Sequence, residues 1–289
     1  GTGTGNSYNG ATINGTINTG GGGGGMLPYV SGSLSGSGGL GTVILRYPTA
    51  SVSSHAVTGT LDTTADTAYP IANTAYFKLE GGSGTTVTDS SGNGNNGVST
   101  SVTYTAGRFG QAAVFNGSSG YITVTGLGIT GNSSFTVSTW VKTTSSGLFF
   151  FFGNGGLNAS FYINVNSNGT ITVGEFDFDL YTSTATVNNG GWHHVAFTSD
   201  GTTSKLYIDG LESNSTTNTF AISADIMELG RGTASYYFPG SLDQVRIFNS
   251  ALSAGNVTSL YNEGTVVEGT DGTDSILQFI GGTGTVTFS

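Results

Sequence analysis

The chain has 289 residues, of which 50 are glycine and only 8% are charged, so solubility rests on Ser, Thr and Asn rather than on ion pairs. Seven Lys and Arg against 17 Asp and Glu leave a formal charge of −10, and no basic cluster exists that could neutralise consecutive phosphates, which argues against nucleic acid as a partner. Without cysteine there is no disulfide framework or thiolate metal site, and no run approaches the roughly 18 apolar residues of a spanning helix, so no membrane insertion is expected.

Residues 1–50 are glycine-rich, centred on the run Gly20 to Gly25 and closing on GTVILRYP from Gly41 to Pro48. The chain opens on Gly1 with no charged and then apolar leader behind it, which suggests a processed chain or part of a longer one. The stretch reads either as a low-complexity linker or, because it closes on Val43, Ile44, Leu45 and Tyr47, as a packed terminal β module. Residues 51–72 read as a linker with one edge strand.

From Asn73 onward a period of two takes over. In SFTVSTWVKT, Phe135, Val137, Thr139 and Val141 share one face and Trp140 takes the other. Four consecutive Phe residues, Phe149 to Phe152, suggest a strand buried on both sides. Phe161, Ile163 and Val165 alternate with Tyr162 and Asn164, and Asn168-Gly169 supplies a hairpin turn before Ile171 and Val173. Asp200-Gly201 and Asp209-Gly210 mark two further turns around VAFTS and KLYID. One short helix is expected over Leu252 to Tyr261, with Ser253 as N-cap, Val257, Leu260 and Tyr261 on one side and Gly264 as the stop.

Several clusters carry possible chemistry. In GEFDFDLY, strand alternation would put Glu175, Asp177 and Asp179 in one exposed row and Phe176, Phe178 and Leu180 on a core face. Such a row is a solvated face, a sugar or cation contact, or the carboxylates of a glycosidase, which need about 5 to 5.5 Å separation for retention. Tyr236 and Tyr237 are candidates for stacking against a sugar ring. DSSGNGNNG, from Asp89 to Gly97, offers the oxygen ligands a hard cation prefers but lacks the ordered acids of an EF-hand, and tight-turn chemistry explains it equally. His193 and His194 are adjacent on a strand, so their imidazoles point to opposite faces and cannot share one ion. The glycine runs lack the strand, helix and acid of a nucleotide fingerprint, and no Ser-His-Asp set can be argued.

The phrases AYFKLEGGSGTTVTDSSGNGNNG, SFTVSTWVKT, GWHHVAFTSDG, KLYIDG and GSLDQVRIFNSALSAGNVTSLYNEG, in this order, resemble the laminin-G-like branch of the concanavalin A-like lectin and glucanase sandwiches. The resemblance covers about two thirds of the chain and implies an all-β, concanavalin A-like jelly-roll β-sandwich over residues 73–268. It also implies that GWHHVA is a structural strand and that a structural calcium could sit between Glu80, Asp89 and Asp243. The acidic row is similar to the E-x-D-x-E pattern of retaining β-glucanases with this fold, although its last acid is Asp.

The ending of the glycine-rich stretch looks like that of modules in bacteriophage structural and tail-fibre proteins, and SILQFIGGTGTVTFS from Ser275 to Ser289 resembles opening strands of the same kind. If both hold, 43–47 pair with 276–288 in the same or a neighbouring subunit, and 269–289 are C-terminal β strands. The function these resemblances imply is a non-enzymatic carbohydrate-binding or adhesion module of a virion surface protein, a tail fibre or capsid decoration, homo-oligomeric and facing a cell-surface glycan. The competing readings are a purely structural surface-lattice or virion protein and a glycoside hydrolase of the same fold.

Overall fold

The computed structural model describes residues 72–81, 84–154, 159–175, 178–232 and 236–263, together with the backbone of six strands nearer the chain ends. The strands β1 (Gly32–Ser35), β2 (Thr42–Pro48) and β3 (His55–Thr58) come first. Next are β4 (Ala75–Phe77), β5 (Thr86–Val87), β6 (Gly97–Thr100), β7 (Thr103–Ala106), β8 (Gln111–Asn116), β9 (Tyr121–Thr125) and β10 (Phe135–Lys142). They are followed by β11 (Gly147–Gly153), β12 (Ser160–Val165), β13 (Thr170–Glu175), β14 (Phe178–Thr186), β15 (His193–Ser199), β16 (Thr203–Ile208) and β17 (Leu211–Thr217). The series ends with β18 (Ile226–Leu229), β19 (Pro239–Phe248), the helix α1 (Ala254–Tyr261), β20 (Thr265–Asp271), β21 (Asp274–Ile280) and β22 (Thr285–Phe288).

Ala72–Tyr261 forms one compact unit, an antiparallel sandwich. Its first sheet runs β17, β16, β15, β10, β19, β8, β7, with β4 also paired to β19; its second runs β14, β13, β12, β11, β18, β9, β6, β5. The strands at the chain ends belong to a second unit. There β2 pairs with β21 so that Val43 is opposite Phe279 and Tyr47 opposite Ser275, while β22 lies between β1 and β3.

Alternation builds the sandwich core. Val137, Val141 and Phe135 of β10 face inward with Phe161, Ile163 and Val165 of β12 and Val195 and Phe197 of β15. Phe161 and Phe197 centre 4.4 Å apart, with Phe135 and Phe220 edge-on to Phe161, the geometry aromatic quadrupoles favour. Phe149 to Phe152 are all buried, as their run predicts. The turns follow their sequence signals. Asp209 (φ 51°) and Gly210 (φ 78°) form a two-residue hairpin between β16 and β17, and Gly169 (φ 86°) turns β12 into β13. Ser253 caps α1, its Oγ accepting from the Asn256 N–H at 3.2 Å.

The two outer faces differ. On the first sheet, Trp140 points outward opposite His194, and Tyr261 of α1 stacks on the indole at 5.7 Å while Phe109 packs edge-on. Trp140, His194, Asp243 and Arg246 are consequently buried. The outer face of the second sheet carries instead the half-buried or exposed Tyr121, Thr123, Tyr162, Asp179 and Glu228. That contrast positions the candidate site.

Candidate functional site

A register row crosses the second sheet on its outer face: Asp179 opposite Gly174, Gly174 opposite Tyr162, Tyr162 opposite Phe151, Phe151 opposite Glu228, and Glu228 opposite Thr123. At about 4.8 Å per strand, Asp179 and Glu228 stand about 19 Å apart along this row. The Tyr162 hydroxyl donates to Asp179 Oδ1 across the intervening Gly174. A Cβ at position 174 would fall 2.4 Å from Tyr162 Cζ, so glycine is what lets the phenol ring lie against β13 and reach the carboxylate.

The single exposed row of acids expected over 174–181 does not form. β13 ends at Glu175 and β14 begins at Phe178, antiparallel neighbours, so the chain reverses between them. Residues paired across a ladder share a face and sequence neighbours do not. Asp179, paired with Gly174, therefore lies on the outer face, while Glu175 continues the inward line of Ile171 and Val173 at the sandwich end. Partial burial raises the Glu175 carboxyl above its ordinary value. Phe178, expected in the core, pairs with Glu175 and so shares its face, but at the sandwich end it is 61% exposed. Asp177 lies outside the described residues.

A second group sits at β9 and β18. Arg231 donates from Nε to Glu228 Oε2 at 3.1 Å and from Nη2 to Glu228 Oε1, a bidentate pair. Its guanidinium lies 3.5 Å from the centre of the Tyr121 ring. The Glu228 and Tyr237 side chains hold the Arg231 pKa above its ordinary value, and Arg231 bridges to Tyr237 through the backbone. Beside it Tyr236 is 65% exposed, its carbonyl accepting from the Gly232 N–H. Tyr121, Tyr162, Glu228 and Arg231 were not picked out as site residues from sequence; the signal for the first three is their outward parity on strands whose alternate residues are apolar, and Arg231 lies past the end of β18, where parity gives none.

The three acids considered for calcium divide. Asp89 is filled by local donors: Oδ1 accepts from the Tyr76 and Ser91 N–H groups and Oδ2 from the Ser91 hydroxyl and the Asn95 N–H. It is a turn residue at its place in the fold. Glu80 and Asp243 are bridged instead by one loop: Gln111 N–H donates to Glu80 Oε2 and Phe109 N–H to Asp243 Oδ2, each at 2.9 Å. A Cβ at Gly110 or Gly107 would collide with the respective carboxylate. Asp243 is fully buried, and its Oδ1 has no hydrogen-bond partner. Desolvation first, and then the Glu80 charge, push its carboxyl up to about 7. A buried carboxylate oxygen without a donor beside a second carboxylate fits a hard cation. Among the described residues, however, no group of three His, Cys, Asp or Glu is arranged to hold a metal.

The two histidines separate as strand geometry requires. His193 Nδ1 meets Asp209 at 2.8 Å and Nε2 meets Asn189, while His194 is buried against Ser138 Oγ at 2.8 Å, its pKa lowered to about 3 by desolvation. Both serve packing and turn geometry. Among the described residues no helix is long and apolar enough to cross a membrane.

Residues 116–258 match the family model described as the Concanavalin A-like lectin/glucanases superfamily. Among solved structures, domain 4 of AbnA, a GH43 extracellular arabinanase from Geobacillus stearothermophilus, in complex with arabinotriose, is 28% identical with a TM-score of 0.56, covering 65% of this chain and 98% of that one. The botulinum neurotoxin serotype G binding domain is 17% identical with a TM-score of 0.51, covering 65% of this chain and 50% of that one. A botulinum neurotoxin type C structure, from work showing cell entry dependent on two ganglioside molecules, is 15% identical with a TM-score of 0.52, covering 66% of this chain and 51% of that one. The chain thus spans about half the length of these toxin chains, and what it shares with them is the fold. No curated protein matches. With two antiparallel sheets in this strand order and the family model over 116–258, the sandwich is a concanavalin A-like jelly roll.

Proposed function

We propose that the sandwich is a non-catalytic glycan-binding module whose ligand lies on the outer face of the second sheet. The observation that carries this is the polar and aromatic row from Asp179 and Tyr162 to Glu228 and Tyr121, with Tyr236 and Tyr237 at its end, on the outer face of the second sheet. Its length suits an oligosaccharide. Tyrosines supply flat apolar faces with polar rims, and Asp179 supplies an acceptor for sugar hydroxyls. The complex of AbnA domain 4 with arabinotriose supports a sugar as the ligand class.

Binding without chemistry is supported by the placement of the acids. Glu175 and Asp179 lie on opposite faces of the sheet, so this pair does not flank a single glycosidic bond, as a retaining or an inverting mechanism requires. Glu80 and Asp243 would hold a structural calcium away from this face, supplying the charge that the buried Asp243 oxygen lacks. We place the module on a virion or other extracellular surface, in a tail fibre or decoration protein with further subunits as partners. The glycine-rich segment and the pairing of β2 with β21 support that placement.

A glycan array followed by titration of each hit tests the reading. Tyr236→Ala and Asp179→Asn should each weaken binding about tenfold, from loss of stacking or of a charge-assisted hydrogen bond, while a Leu211→Ser control on β17 leaves it unchanged. Unchanged affinity in both site variants, or release of reducing sugar from any hit, would contradict it.

A further inference from the structure

The charge pattern of the second sheet narrows the class of glycan, an inference that rests on the glycan-binding reading above. The sequence holds seven Lys and Arg, and all but Arg46 fall in the sandwich. On the first sheet and the loops against it these cations are spent on aromatic rings. Lys78 and Arg246 lie over Tyr76 at 5.6 and 4.1 Å, Arg108 over Phe109 and Trp140 at 4.9 and 4.7 Å, and Lys142 over Trp192 at 5.9 Å. Lys205, on β16, pairs with Glu212 at 2.8 Å.

Within the sandwich that leaves Arg231 as the cation at the second sheet, and its charge is already answered. Glu228 takes its Nε and Nη2 donors and the Tyr121 ring covers one face. At the other end of the row Asp179 is exposed and negative. A ligand carboxylate arriving here would lose hydration without a free cation to replace it, close to like charge, on a chain whose net charge is −10.

We propose that this face selects uncharged glycans and discriminates against sialylated and uronate-bearing ones. Neutral hydroxyls need only the acceptors and donors present on Asp179, Tyr162, Tyr236 and Tyr237. The Glu228 and Arg231 pair acts as the selectivity element, since it withholds the guanidinium that an acidic sugar would need.

The test uses the full chain and matched pairs of oligosaccharides that differ by one acidic sugar, for example arabinotriose-type and galactose-containing neutral glycans against their uronate or sialylated counterparts. Neutral members should bind, their acidic counterparts about tenfold or more weaker. Neutral binding should not change between about 50 mM and about 500 mM salt. Glu228→Gln, checked for retained fold by circular dichroism, should narrow the gap by freeing Arg231. Equal or tighter binding of the acidic members, or affinity that falls as salt is added, overturns the selectivity while leaving glycan binding in place. A folded Glu228→Gln protein with an unchanged gap overturns the role of the pair. No binding to any glycan overturns the glycan-binding reading itself, and the selectivity with it.

Discussion

Burial of His194 between Trp140 and Tyr261 keeps its imidazole neutral, with a pKa lowered to about 3 from 6.5. As pH falls the unfolded chain takes up this proton first, so the stabilisation is complete above about 6.5 and is lost on going down toward about 3. Asp243 works in the opposite sense. Its folded pKa, about 7, lies above the unfolded 3.8, so its contribution is present below 3.8 and is lost as pH rises toward 7. Thermal melts of metal-free protein should therefore show Asp243→Asn more stable than wild type at pH 8 and close to it at pH 4; a variant less stable at pH 8 would contradict the burial argument. Calcium should raise the melting temperature of the wild type at pH 8 and leave Asp243→Asn unmoved, whereas an equal rise in both would place the cation elsewhere. Some residue roles were open to sequence reasoning and others were not. The separation of His193 from His194 follows from strand parity alone. The filling of Asp89 by four neighbouring donors, in contrast, depends on where Tyr76 and Asn95 arrive in three dimensions.

Hairpins and caps were legible because turn chemistry is local. Asp209 and Gly210 both need positive φ, and a Cβ on Gly210 would also stand 2.9 Å from Tyr261. Gly210→Ala should cost about 1–3 kcal/mol, read from the urea midpoint; a neutral effect would mean that the β16–β17 turn differs from this geometry. Ser253→Ala should cost about 1 kcal/mol by loss of the cap on α1, on the same measurement. The reversal between β13 and β14 escaped the same reasoning. EFDFD from Glu175 to Asp179 contains no Gly, Asn or Pro, and its perfect alternation imitates a continuous strand. Reading parity through that stretch as if the strand ran on put Glu175 and Asp179 on one face. Tyr121, Glu228 and Arg231 meet only through the pairing of β9 with β18, strands about a hundred residues apart in sequence, and no local pattern announces such a contact.

For the molecule as a whole, the order of aromatic and turn phrases from Ala75 to Glu263 was enough to expect a two-layer sandwich, because in that order they resemble a family of such sandwiches; alternation alone was not enough, since β10 and β15 are buried on both faces. Which outer face is closed could not be read that way, since it depends on α1 and the Arg108–Phe109 loop folding over Trp140. At the chain ends, β2 and β21 are paired so that Leu45 stands opposite Leu277. The chain has no cysteine, so Leu45→Cys with Leu277→Cys gives a clean test. Oxidation should yield a cross-linked monomer if the pairing is within one chain, and a covalent dimer would show that the strands are exchanged between subunits. The central claim is that the open face of the second sheet binds a sugar without transforming it, and the most direct measurement is an amide chemical-shift map of the full chain titrated with arabinotriose. The account predicts saturable shifts centred on Tyr121, Tyr162, Asp179, Tyr236 and Tyr237 with the trisaccharide intact afterwards; shifts confined to other surfaces, or cleavage of the sugar, would contradict it.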